Sequence, residues 1–254
     1  MGKHNIKSGK RQTIRRAMII FMFFTFPISI AFLSPVIPIL YGLFLGIISG
    51  AIVLFVLQFL SSLFFGRAFC AFICPGGGIS ECLMNINQKQ FSKKKARLIK
   101  WFIWFPWLAA IVFGFIIWGG VSRIDILAGL AGGWEFLFAP YRYAIFFGVL
   151  LLAYVLHLTL GKRAFCQTIC WMAPFMMIGA KLSDKLKLPR LRLKAESETC
   201  VSCNLCTKKC PMSLDVAKMV RANNMKHSEC ILCGECVDIC PKKSIDYTFK
   251  SKSS

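Results

Sequence analysis

Two runs of cysteine near the C-terminus repeat one spacing: Cys200, Cys203, Cys206 and Cys210 before Pro211, then Cys230, Cys233, Cys236 and Cys240 before Pro241. Three thiols at two-residue gaps let one short loop wrap a corner of an inorganic cluster. The fourth thiol, three residues further on and turned away by the proline, reaches a second cluster. The spacing therefore predicts two [4Fe–4S] clusters with interleaved ligands. Cys200, Cys203, Cys206 and Cys240 hold one; Cys230, Cys233, Cys236 and Cys210 hold the other. Their chemistry is the transfer of single electrons. A pair of zinc ribbons shares the C-x2-C step, but it leaves the third cysteine step and both Cys-Pro endings without use.

A second cysteine pattern lies upstream. Arg67-Ala68-Phe69-Cys70-Ala71-Phe72-Ile73-Cys74 and Arg163-Ala164-Phe165-Cys166-Gln167-Thr168-Ile169-Cys170 agree at six of eight positions and sit ninety-six residues apart. On a helix, C-x3-C places both sulfurs on one face, one turn apart. Two such pairs related by a repeat would offer four thiolates, enough for a third iron–sulfur cluster or one metal ion. Arg67 and Arg163 are placed to lower the thiol pKa values. A redox-active dithiol pair is the rival reading, and a small buried hydrophobe the bland one. Cys82 has no counterpart in the other copy and reads as a packing thiol.

The elements that carry these motifs are apolar. The chain is 56% hydrophobic yet has a formal net charge of +21, which requires its charges to lie outside long apolar runs. Four runs suit membrane spans: 17–34, 39–65, 101–120 and 143–160. The first holds Pro27 and follows a basic stretch as a signal peptide would, but no small-x-small cleavage site follows it, so it reads as a retained anchor. Lysine and arginine crowd the stretches 3–16, 89–100 and 181–194, while the other connections carry little beyond Arg123 and Arg142. The positive-inside rule then places both termini in the cytoplasm of a multi-pass inner-membrane protein. In that reducing compartment the thirteen cysteines are ligands or free thiols, not disulfides.

The region 196–248 resembles the bacterial two-cluster ferredoxins. The whole chain resembles the membrane-bound polyferredoxin family of NapH, MauN and NosR type, on the strength of Gly66-Arg67-Ala68-Phe69-Cys70-Ala71-Phe72-Ile73-Cys74-Pro75-Gly76-Gly77. The second copy departs from that pattern, with Trp171 at the proline position and Pro174 three residues later. The expected architecture is an all-α membrane domain of four transmembrane helices in two hairpin repeats, joined to a small α+β ferredoxin domain. Its parts are a basic tail (1–16), a membrane domain (17–180), a basic linker (181–198), the ferredoxin domain (199–248) and a polar tail (249–254). The resemblance implies electron transfer between a cytoplasmic redox partner and the quinone pool or a partner redox complex. An accessory protein for metal reduction or cofactor assembly, or an iron- or redox-sensing regulator, are the alternatives.

Other residues carry less. Lys208, Lys209, Lys242 and Lys243 would form a basic face for an acidic carrier such as a ferredoxin or flavodoxin, or for the anionic inner leaflet. No nucleic-acid motif accompanies the charge. His157, alone inside a span, reads as a polar residue satisfied by a neighbouring helix or as a quinone ligand. Arg123, Asp125 and Glu135 read as a surface ion-pair group, and Gln58 as interhelical glue. The aromatic residues of the spans read as mostly lipid-facing. Gly76-Gly77-Gly78 reads as a close-packed turn, since no phosphate-loop lysine follows. No nucleophile–base pair, nucleotide fingerprint or paired carboxylates are present, so no catalytic residue is assigned.

Overall fold

The computed structural model describes residues 9–25, 32–33, 36, 41, 44–84, 86–91, 93–126 and 140–251. Helix α1 (Lys10–Phe24) leads. It is followed by a short strand β1 (Ile47–Ser49), a long apolar helix α2 (Gly50–Phe65), a five-residue helix α3 (Ala68–Phe72) and helix α4 (Pro75–Leu83). After a 3-10 turn (Lys94–Leu98) come α5 (Ile99–Ile117), strand β2 (Arg123–Asp125), α6 (Pro140–Leu160), α7 (Ala164–Thr168) and α8 (Ala173–Lys185). The remainder is β3 (Arg190–Ala195), α9 (Leu205–Lys209), α10 (Val216–Arg221), α11 (Glu235–Ile239) and β4 (Ile245–Lys250).

The repeat read from the cysteines is a repeat of structure. In each copy a long apolar helix breaks at a glycine of positive φ (Gly66 at 56°, Gly161 at 106°). A five-residue helix then carries one cysteine, and a helix with proline in its first turn follows. Proline suits a helix start because its missing N–H has no intrahelical partner there. The two copies exchange partners, with α2 packed against α8 and α6 against α4. The crossings are close. A Cβ on Gly179 of α8 would fall 1.8 Å from Ser62 Oγ of α2. One on Gly78 of α4 would fall 2.6 Å from the Ile19 carbonyl oxygen of α1. Small residues are what let apolar helices approach to backbone contact. Gly76, Gly77 and Gly78 thus belong to the first turns of a helix and not to a turn between elements.

Several boundaries differ from expectation. The run 39–65 is not one helix, because Gly46 at φ +62° turns the chain and β1 pairs in parallel with β2 before α2 begins. Helix α1 starts at Lys10, inside the expected tail, and much of 17–34 lies outside the described residues. One described helix, residues 95–117, is long and apolar enough to cross a membrane; Gly50–Phe65 and Phe146–Leu160 are shorter apolar helices. The aromatic residues divide between core and surface. Phe55 stacks on Phe175 at 5.4 Å, and Trp104 and Trp107 meet the same ring edge-on, while Phe102, Phe113 and Phe147 are exposed.

Segment 181–198 is structured and not a free linker. Helix α8 occupies it to Lys185, and β3 pairs antiparallel with β4, Arg190 opposite Lys250 and Ala195 opposite Ile245. The ribbon β3–β4 and helices α9–α11 close around a core of Met212, Leu214, Val216, Val220, Ile231 and Ile245.

Candidate functional site

Two hollows sit inside the C-terminal domain. One is lined by Cys200, Cys203, Cys206 and Cys240 with Ala217, Val220 and Ile245. The other is lined by Cys210, Cys230, Cys233 and Cys236 with Leu214, Val216 and Ile231. These are the two interleaved quartets expected from the spacing. The loops around them are shaped alike. Ser202 and Asn204 in the first run, and Leu232 and Gly234 in the second, have positive φ; so do Ser213 and Lys243, each three residues after its run's last cysteine. Left-handed residues beside right-handed ones turn successive N–H groups into a concavity that favours anions, as at many iron–sulfur sites. Four sulfur donors, dry apolar walls and this backbone fit a [4Fe–4S] cluster in each hollow. The Ser244 N–H, 3.4 Å from Cys240 Sγ, is the kind of donor that tunes such a centre.

The hollows differ in surroundings. The first faces outward, with Cys203 and Val201 exposed. The second is held against the N-terminal helical part by charges. Arg15, buried on α1, donates from Nη2 to Glu81 (2.7 Å) and to Glu235 (2.9 Å), the residue before Cys236. Arg163 also binds Glu81, at 3.1 Å. Arg67 donates to Glu229 (2.8 Å), the residue before Cys230, and Lys100 pairs with the same carboxylate. Arg11 pairs with Asp238, and the Gln12 amide donates to the Cys233 carbonyl at 3.0 Å. On the far side Arg97 donates to the Met212 carbonyl at 3.2 Å, and Lys162 to that of Lys208 at 3.0 Å. Burial opposes ionisation of Glu229, but Arg67 and Lys100 outweigh it and hold the carboxyl below its ordinary range. Glu81 is lowered in the same way, burial being outweighed by Arg163 and Arg15.

The sequence assigns Arg11, Arg15, Arg97 and Lys100 to topology and Arg67 and Arg163 to the neighbouring thiols, and it does not reveal their carboxylate partners. A signal was available: only 11 Asp and Glu are present in the chain, and two of them immediately precede cluster-spaced cysteines.

The four upstream cysteines also come together, though not as expected. Cys70 lies within α3, but Cys74 stands past its end, in extended backbone capping α4. Each C-x3-C pair therefore straddles a break between two helices instead of lining one helical face. Cys74 and Cys170 share one core cluster, and Cys70 packs on the C-terminal domain's core beside Ala71. Cys70 Sγ is 3.5 Å from Met176 Sδ, and Cys166 Sγ is 3.6 Å from Ser80 Oγ. Burial pushes the Cys70 thiol up, and the pull of Arg67 does not reverse it, contrary to expectation. Burial likewise pushes Cys210, Cys230 and Cys233 up to about 11. Thiols this dry lose their protons to a metal and not to water. Among the described residues no group of three His, Cys, Asp or Glu side chains is placed around a single metal ion.

Trp171, in the place of the expected proline, donates from its indole nitrogen to the Leu33 carbonyl at 3.0 Å. The proline's role at the helix start passes to Pro174 in α8. His157 donates from Nε2 to the Asn87 carbonyl at 2.9 Å, in a loop and not on a neighbouring helix, while its Nδ1 is buried with no partner among the described residues. Arg123 and Asp125 form the expected exposed pair at 3.2 Å; Glu135 lies outside the described residues. Gln58 is buried, but neither amide atom finds a partner among the described residues, so it is not a hydrogen-bonding bridge there. Cys82 is exposed, not packed. Lys208, Lys209, Lys242 and Lys243 are all exposed, and Lys242 borders the outer hollow.

Comparison with known proteins adds to this geometry. Residues 192–241 match the family model of the 4Fe-4S dicluster domain. Residues 47–97 and 139–189, the two repeats, each match that of the 4Fe-4S binding domain. The chain is 28% identical over 218 residues to an uncharacterized protein of Methanocaldococcus jannaschii, covering 83% of this chain and 74% of that one. It is 22% identical to the ferredoxin-type protein NapH of Haemophilus influenzae, covering 80% and 68%. It is 24% identical to the methylamine utilization ferredoxin-type protein MauN of Paracoccus denitrificans, covering 67% and 56%. No solved structure matches the chain.

Proposed function

The chain belongs to the 4Fe-4S family of the ferredoxin-type proteins NapH and MauN, and from that premise we propose that it is a membrane-anchored carrier of single electrons. It links a redox partner on the cytoplasmic side to the quinone pool or a partner complex in the membrane. Cys200, Cys203, Cys206 and Cys240 hold one cluster at the exposed edge; Cys210, Cys230, Cys233 and Cys236 hold a second at the buried one. Cys70, Cys74, Cys166 and Cys170 hold a third iron–sulfur site between them and the membrane. When bound, each centre supplies a one-electron couple.

The observation that carries this reading is the serial placement of thiols. The outer quartet reaches solvent at Cys203, the inner quartet is clamped by Arg15 and Arg67, and Cys70 packs on the core that the two quartets share. Arg67 faces both Glu229 and Cys70, so one side chain balances charge at two neighbouring sites. Support for the third site comes from the match of each repeat to a 4Fe-4S binding domain. Support for four spans, with both termini cytoplasmic, comes from the apolar helices α2, α5 and α6, their exposed Phe102, Phe113 and Phe147, and the lysine and arginine distribution. Ordinary globular surfaces do not expose so much large apolar side chain. An acidic carrier docking beside Lys242 and Lys243 is the partner this edge suits.

Anaerobic iron and acid-labile sulfide per chain test the reading, on the intact protein and on a variant with Cys70, Cys74, Cys166 and Cys170 all changed to Ser. Iron beyond two clusters in the intact chain, absent from the variant, is the expected result. Equal iron in both would remove the third site.

A further inference from the structure

A large open cavity of about 800 Å³ separates α8 from the ribbon β3–β4 and the turn at 223–228. Positive side chains converge on it from elements far apart in sequence: Lys181 on α8, Arg190 and Arg192 on β3, Lys226 in the turn and Lys250 on β4, beside Arg67, which Glu229 already pairs. Asp184 is the acid in its lining, and it is already bound by Arg190 and Arg192. Arg192 nevertheless keeps Nη2 buried with no partner among the described residues, although its side chain is only 11% exposed. Side chains of one sign brought to one space repel one another unless an anion joins them. Convergence from separate elements is not the solvated stripe that a charged helix face produces. Arginine forks and lysine ammonium groups together are the usual recognition set for phosphate oxygens. The volume exceeds that of a bare phosphate and suits a larger molecule carrying one.

We propose that this cavity binds a phosphate-bearing ligand through Arg192, Lys181, Lys226 and Lys250. The inference does not depend on the electron-transfer reading. Two sources share the chemistry: a soluble phosphate compound, or the headgroup of an anionic phospholipid, which α8 is placed to meet because it packs on the apolar helix α2.

The test uses the full, cluster-loaded chain and the triple variant Lys181→Gln, Lys226→Gln, Lys250→Gln. These side chains are exposed and form no ion pair among the described residues, so iron content should not change. Pyrophosphate is titrated calorimetrically in neutral detergent. In parallel, retention of phosphatidylglycerol over phosphatidylcholine is read by native mass spectrometry. Pyrophosphate binding that weakens at least about tenfold in the variant supports the site with a soluble ligand. Selective phosphatidylglycerol retention, lost in the variant, supports it with a lipid headgroup. Binding of neither probe, or binding equal in both proteins, overturns the proposal.

Discussion

The two halves of the ferredoxin domain share a spacing and a loop geometry, yet one is open and the other locked. The outer half leaves Cys203 exposed and has no carboxylate before Cys203 or Cys206. The inner half carries Glu229 before Cys230 and Glu235 before Cys236, each tied to a buried cation from the other domain. Spacing sets the cage for a cluster; the residue before the cysteine sets which way that cage faces.

The largest way to break this contrast is to unpair the inner clamp. Glu229→Gln leaves Arg67 and Lys100 buried without their carboxylate, and removing one partner from such a pair costs about 3–5 kcal/mol. We expect the ferredoxin domain to detach, read as protease cleavage within residues 181–198. Glu196→Gln, which breaks only the exposed pair with Lys194, should leave cleavage unchanged. Equal cleavage of both variants would mean that the clamp does not hold the domains.

A second comparison uses matched left-handed positions. Gly234→Ala puts a Cβ 2.6 Å from the Tyr247 hydroxyl oxygen at φ +78°, costing on the order of 1–3 kcal/mol. Its counterpart Asn204→Gly, at φ +57°, changes stability by no more than about 1 kcal/mol. Thermal unfolding followed by cluster absorbance distinguishes them, and a larger loss in Asn204→Gly would contradict the packing described. The smallest expected effect is on pH. Glu81 and Glu229 titrate below their ordinary 4.5 in the folded chain. They therefore stabilise it above that value, and the contribution is lost as pH falls through the lowered pKa. Between pH 5 and 3, Glu229→Gln should show a shallower decline in unfolding temperature than the intact chain; identical slopes would refute the linkage.

The cysteine quartets were legible residue by residue because a cluster demands a fixed loop, and a fixed loop demands a fixed spacing. The repeat was legible for the same reason, down to Trp171 and the displaced Pro174. What could not be read was the partner of each charge. Arg15 and Glu235 are 220 residues apart, and nothing in hydropathy pairs them. The break between Cys70 and Cys74 was hidden as well, since C-x3-C looks helical until Pro75 is seen to begin its own helix. Residues 181–198 looked like a linker because their lysines and arginines read as a topology signal, although Arg190-Leu191-Arg192-Leu193-Lys194-Ala195 alternates as a strand does. It becomes a strand only when β4 supplies the other edge.

That ribbon also dictates an order of birth. Strand β3 leaves the ribosome early and waits for β4, its partner across every cysteine loop. Meanwhile the inner quartet is complete at Cys236, while the outer one still lacks Cys240. During synthesis the ligands of the site clamped by Arg15 and Arg67 are all present first, and the exposed site is finished only just before the ribbon closes over both.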